Sequence, residues 1–102
     1  MRSIPSMCEP ELNSLAREVS YFGHVQGVGF RWTTSRIARR HDVVGNVRNE
    51  TDGTVTLRVQ GASAVVQAFL DEIASTMSGH ITRVETTGIA FQDDLAGFRI
   101  IR

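Results

Sequence analysis

Hydrophobic and polar residues alternate with a period of two in some stretches of the chain and recur at helical spacing in others. Over Arg17–His24, Val19 and Tyr21 fall on one face and Glu18 and Ser20 on the other, the pattern of a half-buried strand. Gly23, Gly27 and Gly29 then break the alternation into a loop. From about Gly29 to Arg40 a helix is predicted, with Phe30, Thr34, Ile37, Ala38 and His41 as its apolar stripe and Arg36, Arg39 and Arg40 largely outside it. Val43–Asn49 and Thr54–Gln60 read as two strands. Their link, Glu50-Thr51-Asp52-Gly53, is a hairpin signal, because glycine supplies the positive φ such a turn requires. In the second of these strands Val55, Leu57 and Val59 point one way, Thr56 and Arg58 the other. Gly61 ends it, and Ser63 reads as the N-cap of a helix over Ala64–Met77 with Val66, Phe69, Leu70, Ile73 and Met77 on its apolar face. Ser78-Gly79 stops that helix. Ile81–Phe91 predicts a fourth strand, and Phe98–Ile101 a short terminal one beyond Asp93-Asp94 and Gly97.

The element order is therefore β-α-β-β-α-β with a small extra strand. Two such β-α-β halves imply an α+β fold, a ferredoxin-like sandwich with two helices on one face of an antiparallel sheet. Residues 1–16, Met1 to Ala16, have no sustained period and read as a flexible extension, with a short helical turn around Glu11–Leu15. Residues 17–102 form the domain. This architecture hosts many unrelated activities, so it does not choose a function.

Composition narrows the chemistry. At 102 residues the chain is expected to fold around one core. Its charge sums to zero, which argues against affinity built on counterion release from nucleic acid. All eleven basic residues are arginine, and the missing lysine excludes Schiff-base chemistry and a Walker-type phosphate loop. Cys8 is the single cysteine, so neither an intrachain disulfide nor a cysteine-rich zinc site is expected. His24, His41 and His80 lack metal-ligand spacing, and no metal or cofactor is expected. No apolar run of about 20 residues and no secretory pattern is present, so a cytoplasmic protein that engages no membrane is expected.

The most informative segment is Gly23-His24-Val25-Gln26-Gly27-Val28-Gly29-Phe30-Arg31. It leaves a strand, passes two glycines and enters a helix with an arginine in its first turn. Glycines let successive backbone N–H groups converge, the helix start adds unpaired N–H groups and partial positive charge, and Arg31 adds a forked donor set. Together they make an anion cradle of phosphate size. The same residues also suit an ordinary β-α turn, with Phe30 simply opening the apolar stripe, and the pattern alone does not choose. Asn49, on the face of Val47 and Gly45, points toward the helices at its strand's end. By itself it reads more readily as a turn cap than as a catalytic group.

The run Val25-Gln26-Gly27-Val28-Gly29-Phe30-Arg31, followed by Gly45-Asn46-Val47-Arg48-Asn49 and Asp52-Gly53-Thr54-Val55, resembles the acylphosphatase family. The similarity continues through Gln60-Gly61 and Arg83-Val84 to Phe98-Arg99-Ile100. It implies hydrolysis of the carboxyl–phosphate bond of a small-molecule acyl phosphate, giving a carboxylate and inorganic phosphate. It further implies that Arg31 and the backbone N–H groups of Gln26, Gly27, Val28, Gly29 and Phe30 bind phosphate, and that Asn49 holds the attacking water. Arg31 and Asn49 are the expected catalytic residues, with no metal and no phosphoenzyme.

Two positions depart from the family. His24 stands where a basic residue is common, which would make phosphate attraction pH-dependent. Asn46 replaces a usual tryptophan, and its alternation puts it on the outer face of the sheet. Three rival readings remain. A carbamoyl-phosphate-handling domain like that of hydrogenase-maturation carbamoyltransferases would continue into cysteine-rich zinc modules, unexpected in a chain with one cysteine. A ferredoxin-like RNA-binding module would place aromatics on the outer sheet face, whereas Val44, Asn46, Arg48, Thr54, Thr56 and Arg58 are expected there. A non-catalytic anion-binding module would have no need of Arg31 and Asn49 together. The chain is expected to act as a monomer without a nucleic-acid partner.

Overall fold

A computed structural model describes residues 14–101. The elements follow in the order β1 (Ser14–Gly23), α1 (Phe30–Ala38), β2 (Val43–Asn49), β3 (Val55–Ala62), α2 (Ser63–Thr76), β4 (Ile81–Gly88) and β5 (Phe98–Ile101). The strands form one sheet in the order β4-β1-β3-β2-β5. β1 pairs antiparallel with both β3 and β4, β2 pairs antiparallel with β3, and β5 runs parallel to β2. The sheet is thus mixed at one edge rather than antiparallel throughout. Both helices pack on the face that carries Val19, Tyr21, Val47, Val55, Leu57 and Val59, where Phe30, Ile37, Val66, Phe69 and Ile73 complete the core. This is the expected ferredoxin-like α+β sandwich.

Several boundaries differ from the sequence reading, each for a local reason. β1 starts at Ser14 rather than Arg17, because Ser14, Leu15 and Ala16 pair with Ala62, Gly61 and Gln60. Ala16 is buried there. The helical turn expected around Glu11–Leu15 therefore does not include Ser14 and Leu15, and its remainder, like Cys8, lies outside the described residues. α1 ends at Ala38, and the chain then winds more tightly. The N–H groups of Arg39, Arg40 and His41 donate to Arg36, Ile37 and Ala38, three residues back. Ser63 is the first residue of α2 rather than its cap. Ala62 caps it, without a side-chain bond, because β3 runs straight into the helix.

β4 stops at Gly88, short of Phe91. The Ile89 N–H still donates to the Ala16 carbonyl, and the chain then crosses to the opposite edge of the sheet over its helix-free face. Gln60, buried on that face, holds the crossing segment reciprocally. Its amide donates to the Gln92 carbonyl at 2.5 Å and accepts from the Gln92 N–H at 2.9 Å. Thr56, on the outer face as expected, is also buried there. The central strands are β1 and β3, so the outer face does carry one aromatic, Phe22 of β1. The Arg83 guanidinium lies 4.0 Å from the centre of its ring. Arg58 pairs there with Glu18 at 2.8 Å.

Candidate active site

The glycine loop is stretched between two buried anchors, Val25 and Phe30. Phe30 packs with Tyr21 at 4.9 Å between ring centres, which ties the helix start to the central strand. Burying a ring of this kind stabilises by about 1.5–3 kcal/mol, enough to hold a short loop at its ends. Between the anchors, Gly27 and Gly29 take φ of +78° and +80°. A Cβ at either position would meet no atom within 4 Å, so glycine is needed there for backbone conformation rather than for space.

Gly29 caps α1 without any side-chain bond, and the first turn contains no acidic residue. The first-turn N–H groups and the positive end of the helix dipole are thus unopposed by a side chain of that turn. Arg31 is half-buried beside them. One of its terminal nitrogens donates to the Ile101 carbonyl at 3.2 Å, so the end of β5 holds the guanidinium and leaves its other N–H groups for a ligand.

A cleft of about 290 Å³ opens at this point, lined by Val25, Gly27, Gly29, Phe30, Arg31, Trp32, Asn49 and Ile100. Arg31 and Asn49, on different elements, therefore face one hollow. Asn49 reaches it from the last position of β2. Gln26 and Val28 are not among the lining residues. Val28 packs against the core. Gln26 turns its amide the other way, donating to the Glu50 carbonyl at 2.8 Å and the Thr54 carbonyl at 2.9 Å. It brackets the β2–β3 turn and so couples the glycine loop to the residue after Asn49. His24 is exposed outside the cleft, its ring 6.1 Å from that of His80.

The turn beyond Asn49 is further held by polar contacts. Asp52 accepts from the Thr54 hydroxyl and N–H, which keep its carboxyl below the usual carboxylate range. The Thr56 hydroxyl, and after it the Arg48 guanidinium, do the same for Glu50. At the far side of the domain, His41 and Arg40 both bind Glu72 and lower its pKa.

Sequence reasoning placed the glycines, Arg31 and Asn49 but missed the lining roles of Trp32 and Ile100. A tryptophan beside Arg31 and off the apolar stripe was the available signal for Trp32. Nothing local marks Ile100, because its position depends on β5 joining β2.

An acylphosphatase family model matches residues 17–100. The chain is similar to an acylphosphatase of Latilactobacillus sakei, 40% identical over 74 residues, covering 71% of this chain and 80% of the relative. It is 43% identical over 76 residues to one from Leuconostoc mesenteroides, covering 72% and 84%. Its fold matches a crystal structure of acylphosphatase from Bacillus subtilis with a TM-score of 0.76 and 25% identity, over 86% of this chain and 99% of the other. A match spanning nearly the whole described domain and most of each relative makes this chain a member of the acylphosphatase family.

Proposed function

We propose that the protein hydrolyses acyl phosphates to a carboxylate and inorganic phosphate, with Arg31 and the glycine loop as the phosphate site and Asn49 as the holder of water. The observation that carries this reading is the convergence of Arg31, the open loop and Asn49 on one cleft. Phosphoryl transfer depends mainly on positioning and charge stabilisation. The N–H groups of Gln26 through Phe30 and the forked donors of Arg31 would surround the phosphoryl oxygens as negative charge shifts in the transition state.

Asn49 accepts a hydrogen bond from a water through its Oδ1 and donates one to the water oxygen through its amide N–H, holding it for attack on phosphorus. The water oxygen bonds to phosphorus as the bond to the acyl oxygen breaks. The electron pair leaves with the carboxylate. That group has a conjugate acid of pKa near ~4, so it departs without a general acid. The water's proton passes to a phosphate oxygen.

The lining residues offer no serine, cysteine or histidine as a nucleophile, which favours direct attack by water over a phosphoenzyme. They offer one amide oxygen and no carboxylate, a poor match for a divalent cation, which prefers several hard oxygen ligands. One chain supplies every element of the cleft, so a monomer suffices. The absence of a long apolar run in the sequence supports a cytoplasmic setting.

Purified protein should hydrolyse benzoyl phosphate at the same rate with and without chelator. Arg31→Ala and Asn49→Ala should nearly abolish turnover while circular dichroism stays unchanged. Activity that disappears with chelator, or persists in both variants, would overturn the mechanism.

A further inference from the structure

The phosphate end of the substrate accounts for Arg31, the loop and Asn49, but not for the apolar residues at the rim of the same cleft. Trp32 is the only tryptophan in the chain and is 59% exposed. It lines the cleft directly after Arg31. Arg36, one helical turn on, places its guanidinium 4.8 Å from the centre of the indole. This cation–π contact covers one ring face and limits the rotation of a side chain that the core does not hold. Ile100 of β5 lines the cleft too and is 37% exposed.

Single exposed apolar residues need no explanation. Two on separate elements, sharing the mouth of a site whose floor is apolar, form a surface with a direction. Val25 and Phe30 are buried and close the inner end, so an acyl group attached to a phosphate at Gly27–Arg31 can extend only toward the rim. We infer that Trp32, together with Ile100, receives the acyl group and biases this enzyme toward acyl phosphates with aromatic or extended apolar acyl groups over acetyl phosphate. The inference rests on the acylphosphatase reading and specifies its substrate class.

The test compares kcat/KM for benzoyl phosphate and acetyl phosphate in the wild type, Trp32→Ala and Trp32→Phe. Trp32→Ala should lower the benzoyl-to-acetyl ratio by about three- to tenfold, the value of one aromatic contact, mainly through KM. Trp32→Phe should restore most of it. Because Trp32 is the sole tryptophan, its emission reports occupancy of the rim directly. Phenacylphosphonate, in which a methylene replaces the bridging oxygen, should shift or quench that emission at saturation, and acetonylphosphonate should do so much less. An equal loss on both substrates, or equal fluorescence responses to both phosphonates, would overturn the role of Trp32 while leaving the hydrolase reading intact. A wild-type enzyme inert toward both substrates would overturn that reading and this inference with it.

Discussion

Two of the domain's hollows are nearly equal in size, and they differ in how hydrogen-bond donors gather on them. The cleft at the start of α1 measures about 290 Å³, and a groove between α2 and the β1–β4 side of the sheet about 310 Å³. The second is lined by Leu15, Val19, Tyr21, Val66, Leu70 and Val84 among others, with Arg17 as its one guanidinium. That guanidinium donates to the carbonyl of its own neighbour, Ala16, at 3.1 Å. Its lining residues include no glycine and neither Ala62 nor Ser63 at the start of α2. The groove exists because α2 lies over β1 and β3 and leaves β4 uncovered, so that even Val84 is exposed. Volume therefore does not distinguish the hollows. Convergence of donors from separate elements does.

The sharpest way to break the contrast is to exchange the two arginines' fates. Arg31→Ala should lower kcat on benzoyl phosphate by about 10²–10³, as expected for removing a principal donor to transition-state charge. Arg17→Met should leave kcat/KM within about twofold, as for a change remote from the chemistry. Equal losses in the two variants would mean that the α2–β4 groove participates. Asn49→Ala should cost about 10² in kcat with little change in phosphate affinity, since positioning of water rather than binding is lost. A rise in the inhibition constant of inorganic phosphate matching the loss in kcat would instead place Asn49 on the phosphate.

A smaller effect is expected at Gln26, which touches no ligand-facing surface with its side chain. Gln26→Ala leaves the Glu50 and Thr54 carbonyls without its two bonds. Both carbonyls keep a backbone partner, the N–H groups of Gly53 and Glu50, so stability should fall by only about 0.5–1.5 kcal/mol in urea unfolding. Turnover should fall by about tenfold, because the loop and Asn49 lose their common brace. Unchanged kcat at full folding would show that the brace is structural only.

The smallest effect is the response to acid. The pKa values of Glu50, Asp52 and Glu72 are all lowered in the folded protein. The unfolded chain therefore binds protons first, and the stability these groups contribute is present above the ordinary carboxylate range, about pH 4–4.5, and lost as pH falls through the lowered folded values. Thermal melts should be flat near neutrality and decline below that range. Glu50→Gln should reduce the decline, whereas a change in the groove, such as Gln67→Ala, should not.

Legibility in the sequence varied with the range of the interactions involved. The apolar stripe of α1 was readable because Phe30, Thr34, Ile37 and Ala38 all meet the core through one helix face. The alternation of Val55, Leu57 and Val59 was readable for the same reason in β3. Boundaries were less so. Ser14–Ala16 carry no period of their own and become strand only because β3 supplies partners. The end of β4 was hidden because Ile81–Gly88 is exposed on both faces along nearly its whole length, so no burial pattern marks where pairing stops. In the site, Gly27, Gly29 and Arg31 advertised themselves through backbone freedom and charge. Gln26 did not, since what its amide binds is a backbone carbonyl more than twenty positions away.

The sequence alone determined the local faces of each element, the positive-φ loop that opens α1, and the arginine at its mouth. These follow from side-chain period and from glycine's lack of a Cβ, and both act within a few residues. Only the tertiary structure decided that β1 lies between β3 and β4, that β5 joins β2 in parallel, and that Asn49 shares a cleft with Arg31. Strand neighbours are chosen by backbone pairing and core closure over the whole chain, and those leave no mark on the residues nearby. The same pairing places Ile100 at the rim and the Ile101 carbonyl under Arg31, which turns a charged side chain into an oriented one.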